Sequence, residues 1–277
     1  MKFTIGFSPC PNDTFIFDAL VNKKIDTEGF DFEVLMEDVQ TLNKWAINKK
    51  LDISKISYGV LPLVLNNYLV LSSGGALGKG VGPLLISKND NGEIFSSIEK
   101  KIVAIPGENT TAHMLFSSAF PAARNKLFLV FDEIEEAVLT GKADAGVIIH
   151  ENRFTYQDKG LIKLMDLGEF WEKKTKAPIP LGGIIVRKDF DTKLQQKLET
   201  LIRKSLQYSL DNYPAISSFV SKHSQEMSED VMRKHINLYV NDFSINLGEK
   251  GKAAIDKLLE VYAELHDTTF SAKKILV

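Results

Sequence analysis

The chain has 277 residues, 44% of them hydrophobic and 25% charged, with a net charge of −2 and a pI near 6.2. That balance is globular and long enough for about two domains at ~150 residues each. It supplies no global field for nucleic acid or an anionic membrane, and a single cysteine, Cys10, excludes an intrachain disulfide framework.

Lys2 to Phe7 reads as a strand that runs straight into Ser8-Pro9-Cys10-Pro11-Asn12-Asp13, and a helix is predicted from about Thr14 to Val21. Met1-Lys2 leads directly into that strand, with no long apolar stretch and no small-residue cleavage site, so a chain without a signal peptide, placed in the cytoplasm, is expected. Phe30 to Leu35 alternates apolar and polar, a strand signal, and Val39 to Asn48 is helical with Leu42, Trp45 and Ala46 on one face. Leu51 to Ser57 alternates again, followed by Ser57-Tyr58-Gly59, a short helix over Val60 to Leu65 and a strand over Leu69 to Ser73. The apolar run from Tyr58 to Leu71 is broken by Pro62 and two asparagines, so no membrane span is expected. Gly74 to Gly82 carries five glycines and precedes a strand over Pro83 to Ser87.

Lys101 to Ile105 is a strand, Pro106 to Asn109 a turn, and Thr110 to Phe120 a helix. Leu127 to Phe131 (strand), Glu133 to Thr140 (helix), Ala145 to Ile149 (buried strand) and Leu181 to Arg187 (strand) follow. The remainder is helical: Thr192 to Asn212, Ala215 to Gln225, Ser228 to Tyr239 and Glu249 to Leu265.

Strands alternating with helices imply an α/β chain with a mostly parallel sheet covered on both faces. One βα block lies between two glycine-bearing strand segments, Gly82 to Ser87 and Pro180 to Arg187. The chain is therefore expected to leave a large discontinuous lobe (1–87 plus 184–277) near residue 87, build a small lobe (88–183), and return near 183. Two antiparallel crossover strands would form a hinge, with Gly74–Gly82 and Gly182-Gly183 absorbing the motion. A ligand cleft would lie between the lobes, where the C-terminal ends of strands open.

The residues just after each strand are then the site candidates. The prolines stiffen the Ser8–Asp13 loop, which either only caps its helix through Asn12 or Asp13 or also forms a cleft wall. Ser57-Tyr58-Gly59 is either a turn or a cleft edge. Gly107-Glu108-Asn109-Thr110-Thr111 offers free N–H groups and hydroxyls to an anion at a helix start, with plain capping as the alternative. It lacks the spacing of a nucleotide loop. His150 ends an apolar strand, either as a cleft-facing general base or as a structural histidine. Glu151, on the opposite face if the strand continues, is not expected to orient it. His113 is a second cleft candidate, and His223, His235 and His266 are read as surface residues on helices. Histidines at i, i+4 and Cys-x-x-Cys are both absent, so no metal is expected, and Cys10 reads as structural.

Ser8-Pro9-Cys10-Pro11-Asn12-Asp13-Thr14-Phe15, Gly107-Glu108-Asn109-Thr110-Thr111-Ala112, His150-Glu151 and Pro180-Leu181-Gly182-Gly183 together resemble the 1,4-dihydroxy-6-naphthoate synthases of the futalosine route to menaquinone. The resemblance runs over nearly the whole chain. It implies a two-lobed, periplasmic-binding-protein-like (type II) fold and a cofactor-independent carbon–carbon lyase acting on cyclic dehypoxanthine futalosine, a carboxylated small molecule. It also implies His150 as the catalytic base. Ser8, Asn12, Ser57, Tyr58, Thr110, Thr111 and Gly182, at strand ends and the helix start, are then expected around the substrate. A solute-binding protein of the same fold and chorismate dehydratase of the same pathway are the alternatives. No nucleic-acid partner is expected, and a homodimer is left open.

Overall fold

The computed structural model describes residues 1–89, 92–224, 228–269 and 275–277. The strands are β1 (Lys2–Phe7), β2 (Asp31–Met36), β3 (Ile53–Ser57), β4 (Tyr68–Val70), β5 (Ala76–Gly78), β6 (Leu84–Ser87), β7 (Val103–Ile105), β8 (Lys126–Phe128), β9 (Ala145–Ile148), β10 (Ile162–Asp166) and β11 (Ile179–Arg187). The helices are α1 (Pro11–Val21), α2 (Val39–Ile47), α3 (Leu61–Val64), α4 (Glu93–Ser96), α5 (Thr111–Ala119), α6 (Ile134–Leu139), α7 (Asn152–Thr155), α8 (Leu167–Thr175), α9 (Thr192–Asn212), α10 (Ser218–His223), α11 (Glu229–Tyr239), α12 (Asp242–Ile245) and α13 (Gly248–His266). Gln225, where one expected helix ends, lies outside the described residues.

Two sheets result. The first runs β2-β1-β3-β11-β4, with β5 also paired to β11; the second runs β10-β6-β9-β7-β8. Neither is mostly parallel. In the first, β1 pairs in parallel with β2 and β3, while β11 is antiparallel to β3, β4 and β5. In the second, β7 is parallel to β8 and β9, and β6 is antiparallel to β9 and β10. The antiparallel strands are those by which the chain enters or leaves a sheet.

The sheet boundaries differ from residues 87 and 183. All of β6 belongs to the second sheet, so the chain has crossed before Leu84, and Ile179 is already paired in the first, so it has returned by then. The crossing segments do pair antiparallel, but through Ala76–Gly78 and Ile179–Gly182. Gly182 and Gly183 are not a loose joint: they face Ser57 and Ile56 in the β11–β3 ladder. A Cβ on Gly183 would come within 2.4 Å of Tyr58 Oη. Glycine stands there to admit a buried ring.

The first helix begins earlier than expected. Pro11 occupies its first turn, where a missing N–H is harmless, and Cys10 is its N-cap with no side-chain cap bond. Asn12 and Asp13 are thus inside the helix rather than caps. Pro11 to Leu20 are all buried, because α1 is wedged between the first sheet and α9. Two serines of α9 complete the fit: Ser205 Oγ donates to Ile16 O at 2.7 Å, and Ser209 Oγ to Phe15 O at 2.7 Å. Phe7 stacks on Phe17 at 4.5 Å in the core between them. The second sheet buries Leu84, Ile86 and Ile148 against Ile134 and Val138 of α6. Among the described residues no helix is long and apolar enough to cross a membrane.

Candidate active site

Loops from both sheets enclose one pocket of about 650 Å³, its open mouth included, within the range of small-molecule sites. Ser8, Asn12, Ser57, Thr110, Thr111, His150 and Gly182 all line it. Tyr58 does not: it is fully buried beneath Gly183, its hydroxyl has no hydrogen-bond partner among the described residues, and burial pushes its phenol up. The turn after β3 is tight enough to swing that ring inward, so Tyr58 is a core residue.

The Ser8–Asp13 loop forms a polar floor. Ser8 donates to Asp13 Oδ2 from Oγ at 2.7 Å and from N at 3.2 Å, and Asn12 Nδ2 donates to Asp13 Oδ1 at 2.9 Å. Lys55 Nζ lies 3.0 Å from Asp13 Oδ1 and donates to Gly74 O at 2.9 Å, with both side chains about 5% exposed. This buried ion pair also lines the pocket. Neither residue was a site candidate in the sequence, although a lysine inside the strand Ile53-Ser54-Lys55-Ile56-Ser57, buried throughout, has to find an anion.

The opposite wall is the start of α5. Thr110 caps the helix: its Oγ1 accepts from His113 N at 3.2 Å and donates to Gly107 O at 2.9 Å. Thr111 Oγ1 accepts from Gly59 N at 3.0 Å and donates to Leu181 O at 2.9 Å. Both hydroxyls are therefore engaged within the protein, and what remains for an anion is the backbone N–H groups of Thr110, Thr111 and Ala112. No hydrogen bond to these amides occurs among the described residues. Asn109 is held to α2 by its N–H to Gln40 Oε1 at 3.1 Å and by its carbonyl to Asn43 Nδ2 at 2.9 Å.

Gly59 makes this approach possible. A Cβ there would stand 2.5 Å from the Thr110 carbonyl carbon and 2.6 Å from Thr111 N, both backbone atoms that cannot rotate away. Gly59→Ala is expected to push the β3 loop off α5, raise KM roughly tenfold and cost about 1–3 kcal/mol of stability, the usual range for overpacking. Steady-state kinetics with a denaturant midpoint checks both, and an unchanged KM would mean that this contact does not shape the pocket.

β9 ends at Ile148, and His150 adopts a left-handed backbone, φ 57°. The alternation that would send His150 and Glu151 to opposite faces therefore does not apply: a ring nitrogen of His150, a carboxylate oxygen of Glu151 and Cys10 Sγ lie within 4.8 Å of one another. The His150 ring packs edge-on against Phe131 at 5.0 Å and nearly parallel to His235 at 6.0 Å. Burial pushes its imidazole down to about 4, Asp13 opposing and Lys55 assisting.

His235 is not a surface residue but fully buried. Its Nε2 lies 2.8 Å from Asn12 Oδ1 and its Nδ1 3.4 Å from Glu151 Oε2. Its helix signalled this: Met232, His235, Ile236 and Tyr239 fall at i, i+3, i+4 and i+7, one apolar face. His113 lies outside the pocket, its Nδ1 on Glu108 O at 2.7 Å and its Nε2 on Lys126 Nζ at 3.0 Å. With both ring nitrogens occupied it is no candidate base.

The family model described as "Menaquinone biosynthesis" matches residues 3–264. The chain is 41% identical to a 1,4-dihydroxy-6-naphthoate synthase of Thermus thermophilus, over 92% of this chain and 91% of the relative. It is 42% identical to the enzyme of the same name from Streptomyces coelicolor, over 92% and 90%. Among solved structures, protein AF1704 of Archaeoglobus fulgidus superposes with a TM-score of 0.89 at 32% identity, covering 96% of this chain and 98% of that one. The periplasmic aliphatic sulphonate binding protein SsuA of Escherichia coli superposes with a TM-score of 0.68 at 9% identity, covering 100% and 92%. That likeness shows the fold alone: α/β and periplasmic-binding-protein-like.

Proposed function

The chain belongs to the menaquinone-biosynthesis family, and from that premise we propose that it is an enzyme with the activity of its named relatives, forming 1,4-dihydroxy-6-naphthoate from cyclic dehypoxanthine futalosine. The observation that carries the proposal is the pairing, across one pocket, of the His150 imidazole with the open N–H groups at the start of α5. A carboxylated carbocycle joined to a sugar fits that pairing. Its carboxylate lies on the amides of Thr110, Thr111 and Ala112, where the helix dipole adds to the hydrogen bonds. The ring then presents an acidic C–H to His150.

Proton transfer to His150 starts ring opening and loss of the sugar-derived fragment, and aromatisation drives the product side downhill. The reading asks the protein for a base, a carboxylate clamp and a dry, fixed geometry. Ser8, Asn12 and Ser57 line the remaining polar wall. Asp13 and Lys55 neutralise each other, so the floor offers hydrogen bonding without net charge and the anion is directed to α5. Incubation of the purified protein with cyclic dehypoxanthine futalosine, with mass detection of dihydroxynaphthoate, tests the activity. Absence of product at saturating substrate would overturn it.

The clamp has its own test. In the double variant Thr110→Val, Thr111→Val the cap on α5 and the tie between Gly59 and Leu181 are both gone, so the amides are no longer held in register. Substrate binding is expected to weaken by about tenfold or more, since a charge-assisted hydrogen bond is worth roughly 1.5–3 kcal/mol. The lost cap adds about 1 kcal/mol of destabilisation. Substrate affinity equal to that of the native enzyme would place the carboxylate elsewhere.

A further inference from the structure

At the pocket wall that His150 lines, three side chains from two segments cluster and a fourth, His235, borders them through Glu151. Cys10 precedes α1, His150 and Glu151 follow β9, and His235 projects from α11. The ligating atoms of the first three lie within 4.8 Å of one another. His235 Nδ1 is 3.4 Å from Glu151 Oε2 and has no hydrogen-bond partner among the described residues, in a side chain with no exposed surface. We propose that Cys10, His150, Glu151 and His235 form a binding site for a thiophilic divalent cation, Zn²⁺ foremost.

The donor set suits that ion. One sulfur, two imidazole nitrogens and one carboxylate oxygen are the ligands zinc takes in tetrahedral sites. Bond lengths of about 2.0–2.3 Å place tetrahedral ligand atoms roughly 3.3–3.8 Å apart, so the three clustered side chains need close by at most about 1–1.5 Å, and His235, outside that cluster, must swing in as the fourth ligand. Thiolate and carboxylate together balance the charge of the ion. The outer shell is already in place. Asn12 Nδ2 donates to Asp13 Oδ1, which turns Asn12 Oδ1 toward His235 Nε2 at 2.8 Å. Nε2 must then carry the ring proton, leaving Nδ1 with a lone pair directed at the cluster. Metal-ligating histidines are commonly fixed in this way, through the second ring nitrogen. Sequence spacing gives no sign of the site, because its members meet only through the fold.

Ligation of His150 would occupy the lone pair assigned to proton abstraction, and on that reading of His150 the ion is an inhibitor. Metal-stripped enzyme titrated with Co²⁺ tests binding independently of turnover. A thiolate-to-cobalt charge-transfer band at one equivalent, displaced by Zn²⁺, is the expected result. Cys10→Ser is expected to abolish the band and weaken Zn²⁺ by at least about 10–100-fold, the range already lost with outer-shell partners. Zinc-edge X-ray absorption on the unaltered protein, showing one sulfur at the ion, makes the same check without a variant. Cobalt bound without that band, zinc affinity indifferent to Cys10→Ser, or no binding at all overturns the site. Zinc held through sulfur with turnover undiminished would keep the site and remove His150 as the base.

Discussion

His150→Asn turns over about 10²–10⁴-fold more slowly than the native enzyme, the usual worth of a general base, while KM stays within a few fold. The substitution removes a proton acceptor and leaves the α5 amides and the Ser8–Asp13 floor untouched. Asparagine also tolerates the left-handed backbone of this position better than most residues. The acid side of the pH profile sharpens the test. Burial lowers the His150 imidazole to about 4, so kcat/KM, which reports free enzyme, is expected to hold down to that region and fall below it, rather than near the unperturbed 6.5. A bound carboxylate brings a negative charge into the pocket and raises the imidazole again, so the limb of kcat lies at higher pH. The sign for stability is opposite to that of a histidine gaining a partner. Below about 6.5 the unfolded chain takes up a proton that the folded chain refuses. This group therefore costs stability progressively as pH falls from there to about 4 and adds no further loss beyond. Turnover of His150→Asn close to native, or a native limb that the variant retains, would take the base from His150.

Lys55→Met is the second large expected effect, and it falls on stability. The substitution leaves the Asp13 carboxylate buried, with Ser8 and Asn12 donating to it but no cation. Removing one member of a buried pair costs about 3–5 kcal/mol, because a desolvated charge is left uncompensated. Replacing both members, as in Asp13→Asn with Lys55→Met, is expected to recover a large part of that loss, since the stranded charge is gone. Denaturant midpoints of the single and double variants form the cycle. A single variant within about 1 kcal/mol of native would show that water reaches the pair. Loss of the Lys55 charge also removes one of the influences holding His150 low, so the acid limb of the surviving fraction moves to higher pH.

Much of the fold was legible where periodicity and local stop signals agree. Thr192–Asn212 is one amphipathic helix, capped by Asp191, whose carboxylate accepts a hydrogen bond from Leu194 N–H. Most strands lie within a few residues of their alternating patterns. Between His150 and Leu181 the sequence predicts no element, although Ile162-Lys163-Leu164 alternates and Leu167 and Trp171 share a helical face. That strand is a half-exposed sheet edge with a bulge, so its pattern is weaker than that of a buried strand. Ser8, Ser57 and His150 were legible as candidates because they end or follow strands, whose ends open on the pocket in this architecture. Asp13, Lys55 and His235 were not, because each acts through a partner distant in sequence. Tyr58 departs from its expected place at the cleft for a simpler reason: a side chain in a tight turn can face either way, and this ring fills the space left by Gly183. For Glu151, a single left-handed residue, His150, cancels the alternation that would turn the two side chains to opposite faces.

The position of β11 also governs how the molecule can be made. It lies between β3 and β4, and these two strands have no ladder with each other. A nascent chain that has emerged as far as β4 therefore holds two separate pieces of its first sheet. All the strands of the second sheet, ending with β10 at Asp166, leave the ribosome before the strand that joins those pieces. The sheet begun first is finished last, and the half-made lobe must keep its apolar strands out of trouble while a complete neighbour assembles beside it, which is where such intermediates are most prone to stick to one another.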